Sequence, residues 1–122
     1  MATATTTPQT ALTPGTVVRC PRYVNGESTG LRKAVVLGLW NEDNPKGGYR
    51  VYFYTLGPAS FSPRTAGLAF EREMKVLGTL DALSERTLIG IYRGLGEFPG
   101  STQVRNRAGS HAHRLRAARR AR

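Results

Sequence analysis

The sequence predicts a mainly β chain of α+β class: a small barrel of four or five short strands, one C-terminal helix, and flexible ends. Three observations carry this. Short apolar or aromatic runs recur between clusters of Gly, Pro, Asn and Ser, the mark of strands and turns. After Gly78 the apolar spacing changes from strand-like to helical. Positive charge collects at the C-terminal end, in a segment without a single acid.

Residues 1–13 are Thr/Ala-rich with no periodic apolar face, which predicts a flexible leader. Thr13-Pro14-Gly15 is turn chemistry, so order should begin there. Thr16–Cys20 is β-branched and bounded by Gly15 and Pro21, a first strand. Pro21–Leu31, with Asn25-Gly26, Ser28 and Gly30, is expected to be a loop. Arg32–Leu39 is a continuous apolar run of strand length, as for a strand buried on both faces. Asn41–Gly48 is again turn chemistry. Tyr49–Leu56 is dense in aromatic and β-branched residues and gives the strongest strand signal. Gly57–Gly67 is a loop broken by Pro58 and Pro63. Leu68–Phe70 and Glu73–Leu77 form either two short strands or one bulged strand.

Ser84 is placed to cap a helix whose first turn carries Glu85. Leu88, Ile91, Tyr92 and Leu95 make one apolar stripe, and Gly96 supplies a left-handed stop. Gly90 and Gly94 each weaken this helix by about 1 kcal/mol, so it should need docking onto the sheet. Strand, loop, strand, turn, strand, loop, short strands and helix suggest a small SH3-like barrel over residues 14–98. Residues 99–122 form an arginine-rich tail. Its His111–Arg122 end should become helical when phosphates neutralise it and stay frayed otherwise.

Composition narrows the functional classes. The chain has 122 residues, enough for one domain. No apolar run approaches the roughly 18 residues of a membrane helix, and the N-terminus lacks a secretory pattern. The cytoplasm is therefore expected, or a virion if the chain is phage-encoded. Cys20 is the lone cysteine and is expected to be a half-buried strand residue. No cofactor and no metal site is expected: the acids Glu71, Glu73, Asp81 and Glu85 lack metal-nuclease spacing.

Net charge is +10, from 18 Lys+Arg against 8 Asp+Glu. Residues 14–98 hold eleven of the basic residues and all eight acids, so they are nearly balanced. The tail holds Arg105, Arg107, Arg114, Arg116, Arg119, Arg120 and Arg122, and no acid. Such a chain end attracts polyanions through phosphate neutralisation and counterion release. Guanidinium also suits bidentate phosphate contacts and stacking on bases. Leu115 is the tail's single large apolar residue, too little for a membrane anchor. The expected partner is nucleic acid, RNA ahead of DNA.

Several segments, in order, resemble the MazF/PemK family, the toxin halves of toxin–antitoxin pairs. Pro14-Gly15-Thr16-Val17-Val18 resembles the family's opening strand. Arg32-Lys33-Ala34-Val35-Val36-Leu37-Gly38 resembles its "RPAVVLS" strand. Tyr49–Ser60 occupies the place of its second signature, and Val76–Leu95 is similar to its closing strand and helix. The resemblance covers residues 13–96. It implies an SH3-like barrel, a homodimer, a small acidic antitoxin as partner and metal-independent cleavage of RNA. By motif the catalytic pair falls on Arg32 and Thr55, with Ser60 or Ser62 as alternatives to the latter. The family's Pro after the arginine is Lys33 here, its Asp after the first Gly is Thr16, and Leu56-Gly57-Pro58 follows Thr55.

The chemistry suits those residue types. In RNA cleavage the 2′-hydroxyl attacks its own phosphate, so the protein need only hold the phosphate in line and stabilise developing charge. A guanidinium does this with a fixed donor fork. Around that pair, Arg19, Arg22, Lys33, Arg50 and Tyr52 extend the expected nucleic-acid surface. Lys33 alternates to the other strand face from Arg32. Along Tyr49–Leu56, Val51, Phe53 and Thr55 share one face, while Arg50, Tyr52 and Tyr54 share the other. That Arg/Tyr face is the RNA-facing candidate if it is open, and Trp40 is a further stacking candidate. The competing reading is a non-catalytic module, phage-structural or ribosome-associated, anchored by its tail within a larger assembly. An inhibitor of a host enzyme is a third.

Overall fold

The computed structural model describes residues 12–55, 66–96 and 100–121. They form an α+β protein with five strands and two helices. The strands are β1 (Thr16–Val24), β2 (Glu27–Leu39), β3 (Tyr49–Tyr52), β4 (Ala66–Ala69) and β5 (Lys75–Thr79). The helices are α1 (Glu85–Leu95) and α2 (Thr102–Arg120). One antiparallel sheet runs in the order β4-β3-β2-β1-β5. It is open: no ladder among the described residues joins β4 to β5. The expected closed barrel is thus, at the level described, a five-stranded sheet with helices on one face. No helix among the described residues is long and apolar enough to cross a membrane.

The segment expected to be a loop between β1 and β2 is instead a long hairpin. Val24 pairs with Glu27 around Asn25-Gly26, whose φ values of 53° and 82° are both positive. Two such residues make the tight turn whose twist matches paired strands. Pro21 is tolerated because the register shifts between it and Tyr23. Leu68–Phe70 and Glu73–Leu77 resolve into two separate strands, divided by a 3-10 turn at Glu71–Glu73 and lying on opposite sheet edges.

β2 does what its sequence predicts. Ala34 and Val36 enter a core with Val18, Cys20, Tyr49, Val51 and Phe53. Val35 and Leu37 enter a second core on the opposite face, with Tyr52, Leu80, Leu88, Ile91 and Leu95. The helix α1 also forms as predicted. The Ser84 hydroxyl accepts the Thr87 N–H at 3.2 Å, and Gly96 ends the helix at φ 49°.

The expectation of a frayed tail is corrected. Residues 102–120 are one continuous helix, and Val104, Ala108 and Ala112 are buried in the core that α1 also fills. Apolar contact along that small-residue stripe holds the helix, so it needs no phosphate to form.

Candidate nucleic-acid interface

The β1 strand sits between β2 and β5, and this sets the basic surface. Arg19 lies opposite Lys33 in β2 and opposite Lys75 in β5. Residues directly opposite in an antiparallel ladder project from the same face, with Cβ atoms about 5 Å apart. Lys75, Arg19 and Lys33 therefore form a row of three cations across three strands, all exposed. Like charges so placed repel and weaken the sheet. No hydrogen bond or ion pair among the described residues relieves them. Exposed Leu31, two residues before Lys33, adds apolar surface beside the row. Sequence reasoning found Arg19 and Lys33 but missed Lys75, because the neighbour of β1 on its far side depends on strand order.

Arg32 is on the other face. It lies opposite Cys20, whose side chain is fully buried. Burial first, then the charge of Glu73, push the Cys20 thiol up to about 11. Arg32 itself is exposed at the open end of that inner core. Thr55 is exposed too, in a turn just after β3. Val35 pairs with Tyr52 in the last described rung of the β2–β3 ladder. β3 ends there and residues 54–55 form a turn, so no described pairing brings Arg32 and Thr55 together. Ser60 and Ser62 lie outside the described residues.

The Arg50/Tyr52/Tyr54 face is not open, which corrects the expectation of an RNA-facing aromatic surface there. Tyr52 is buried beneath α1, and burial raises its hydroxyl pKa. Tyr54 packs against the same core and is raised for the same reason. Arg50 is partly buried, with its guanidinium 5.6 Å from the centroid of the half-exposed Trp40 ring. Arg22 is also partly buried, and its carbonyl accepts the Thr29 hydroxyl at 2.9 Å.

Most of the tail arginines have structural contacts. Arg105 Nη1 donates to the Gly96 carbonyl at 2.7 Å, capping the C-terminal end of α1. Its Nε is buried without a partner. Arg107 Nη1 donates to the Pro14 carbonyl at 3.0 Å, tying α2 to the start of the sheet. Arg114 Nη2 donates to His111 Nδ1 at 3.0 Å, which leaves His111 Nε2 to donate to the Asp81 carbonyl at 3.2 Å. Arg116 and Arg119 both grip Glu85, at 3.3 and 3.1 Å. Arg120 is exposed, and Arg122 lies outside the described residues. These bonds explain why a helix so rich in one charge stays folded against its neighbour: its arginines near α1 are neutralised by carbonyl dipoles and one carboxylate.

Among the described residues no group of three or more His, Cys, Asp or Glu is placed to hold a metal ion. The structure thus defines a small α+β protein whose antiparallel sheet carries a bare cationic row and whose helical pair is arginine-rich. The chain belongs to the DUF6409 family, a family of unknown function, whose model matches residues 1–121. No curated protein and no solved structure matches the chain.

Proposed function

We propose that this protein binds nucleic acid, RNA ahead of DNA, on the sheet face that carries Lys75, Arg19 and Lys33. The observation behind this reading is the row itself: three cations in cross-strand register, against the sheet's own interest, with no acid paired to them among the described residues. Phosphates spaced along a single strand relieve that repulsion and release counterions on binding. In this reading the open sheet is a variant of the SH3-like barrel, and the exposed arginines of α2 add general attraction.

The test is fluorescence anisotropy with an unstructured labelled RNA and the matching DNA strand across a salt series. Replacing Arg19, Lys33 and Lys75 together by Gln should lower affinity and reduce the salt slope by about 2, at roughly 0.7 per phosphate lost. An unchanged slope rejects the row as the interface.

A second reading, a metal-independent endoribonuclease of toxin type, is favoured by one observation, the exposure of both Arg32 and Thr55, the pair on which the family resemblance places catalysis. Arg32 would stabilise the charge on the phosphate, and Thr55 would donate one hydrogen bond to it. Incubating a long RNA in EDTA separates the two readings. Fragments with 2′,3′-cyclic phosphate ends, absent with Arg32→Ala, support cleavage. Intact RNA under tight, salt-sensitive binding supports a non-catalytic binding or assembly protein.

A further inference from the structure

On the side of the helical pair away from the sheet, α1 and α2 line an open groove of about 250 Å³. Its floor is apolar and aromatic: Ile89 and Tyr92 from α1, Ala112 from α2. Its rim carries Arg93 from α1 and His113 and Arg116 from α2. Gly109 leaves room for the Tyr92 ring, since a Cβ there would lie 3.3 Å from it, and Tyr92 remains 44 % exposed. A neighbouring depression shares Ile89 and Arg93 and is bordered by Glu85, Arg86, Gly90 and Arg119.

Two features beside this groove, in the depression with which it shares Ile89 and Arg93, are unexplained by folding. Arg86 and Arg93 make no ion pair among the described residues, although Glu85 is adjacent and holds Arg116 and Arg119. Gly90 weakens the middle of α1, yet a Cβ built on it meets nothing within 4 Å. Unlike Gly94, it is not there to admit a neighbour from the same chain.

We propose that this groove binds a nucleoside monophosphate, with the base on Ile89 and Tyr92 and the phosphate on Arg93, aided by the guanidinium donors of Arg116 other than the Nε that Glu85 holds. A cationic rim above an aromatic floor matches a flat, weakly polar ring joined to a dianion. The size of the floor decides against an acidic amphipathic helix. Such a helix is gripped through anchors spread over two turns, whereas the apolar residues here, half-buried Ile89 and exposed Tyr92, span a single turn of α1. The site is separate from the sheet row, so it stands whether or not that row binds a strand.

The experiment is NMR titration of the full chain with AMP, adenosine and inorganic phosphate. AMP should saturate with a dissociation constant on the order of millimolar or tighter, shifting the signals of Tyr92, Arg93 and His113. Arg93→Gln, at an exposed position, should weaken AMP about tenfold, the loss of a charge-assisted contact, and leave adenosine unchanged. Tyr92→Leu should weaken both. Lys46→Gln, exposed and outside both sites, should affect neither. A 5′-phosphorylated oligoadenylate that binds tighter than AMP, and loses that advantage without its phosphate, assigns the nucleotide to a strand end. Equal affinities assign it to the free pool. The proposal is overturned if AMP fails to saturate, if Arg93→Gln leaves AMP binding intact, or if an acidic amphipathic peptide saturates the groove where AMP does not.

Discussion

A Cβ built on Gly94 would stand 1.8 Å from the Tyr52 hydroxyl oxygen. The ring of Tyr52 rises from β3 into the side of α1, and the helix has no atom to spare where they meet. Replacing Gly94 by Ala improves helix propensity by about 1 kcal/mol but forces a buried aromatic ring or the helix itself to move, which typically costs about 1–3 kcal/mol. Gly94→Ala should therefore destabilise the protein. Gly90→Ala, one turn earlier on the same helix where a Cβ meets nothing within 4 Å, should stabilise it by about 0.5–1 kcal/mol. Thermal melts of the two variants check this, and a rise in Tm for Gly94→Ala would contradict the packing of Tyr52 under α1.

The cationic row makes an opposite pair of demands on one residue. Arg19 faces Lys33 on one side and Lys75 on the other. Arg19→Gln removes both repulsions and should raise stability by a few tenths of a kcal/mol, at the low end for cross-strand pairs (about 0.2–1 kcal/mol). The same change should weaken RNA binding. Chemical denaturation in low salt measures the first effect, and its shrinkage in high salt would identify it as electrostatic. A variant that loses stability instead would mean that the Arg19 side chain has a packing role that outweighs the repulsion.

How much of this was legible beforehand depends on how local the signal is. Ser84, the Leu88–Leu95 stripe and Gly96 lie in one short segment, so α1 could be delimited to its caps. The two-sided burial of Ala34–Leu37 was likewise written in an unbroken apolar run. Asn25-Gly26 carried the hairpin signal, but Pro21 and Gly30 drew the reading toward a loop. Strand order was not local at all: nothing in Lys75–Thr79 says that it pairs with β1, and so Lys75 escaped notice. The helix α2 was missed as a packed element because its buried stripe is Val104, Ala108 and Ala112. Small side chains suffice there because the helices approach closely, as Tyr92 against Gly109 shows.

Glu85 holds two arginines of α2, and its side chain is 20 % exposed while those of Arg116 and Arg119 are 47 % and 66 % exposed. Solvent screens pairs of this kind, so each contributes little. Glu85→Gln also weakens a favourable charge in the first turn of α1. Together these should lower stability by about 1 kcal/mol in dilute buffer, and by much less in high salt. A loss that does not depend on salt would show that Glu85 acts through packing.

Cys20 gives a pH signature of defined sign. Its thiol is raised in the folded protein from 9.0 to about 11, so the unfolded chain releases the proton first. The associated stability is complete below pH 9 and is lost as pH rises toward 11. Tyr49, Tyr52 and Tyr54, also raised, act in the same direction from about pH 10 upward. Cys20→Ala should flatten the first part of that decline. The buried thiol should also resist disulfide reagents until the protein unfolds. Rapid modification of the native protein at neutral pH would contradict the burial of Cys20.

The strongest demand the fold makes concerns α2. Leu88, Ile91 and Leu95 of α1 have no exposed surface, and Val104, Ala108 and Ala112 belong to the core that buries them. Re-exposing one large apolar side chain completely costs about 1.5–3 kcal/mol, and a domain of this kind is stable by only about 5–15 kcal/mol in total. A chain ending at Gly100 should therefore lose cooperative unfolding, not merely affinity for nucleic acid. Charge and packing are separated by the variant Arg120→Gln. It removes positive charge from the exposed side of α2 and should leave Tm nearly unchanged while lowering RNA affinity. A shortened chain that still melts cooperatively at the full-length Tm would mean that the sheet and α1 fold without α2, and that the helix contributes charge alone.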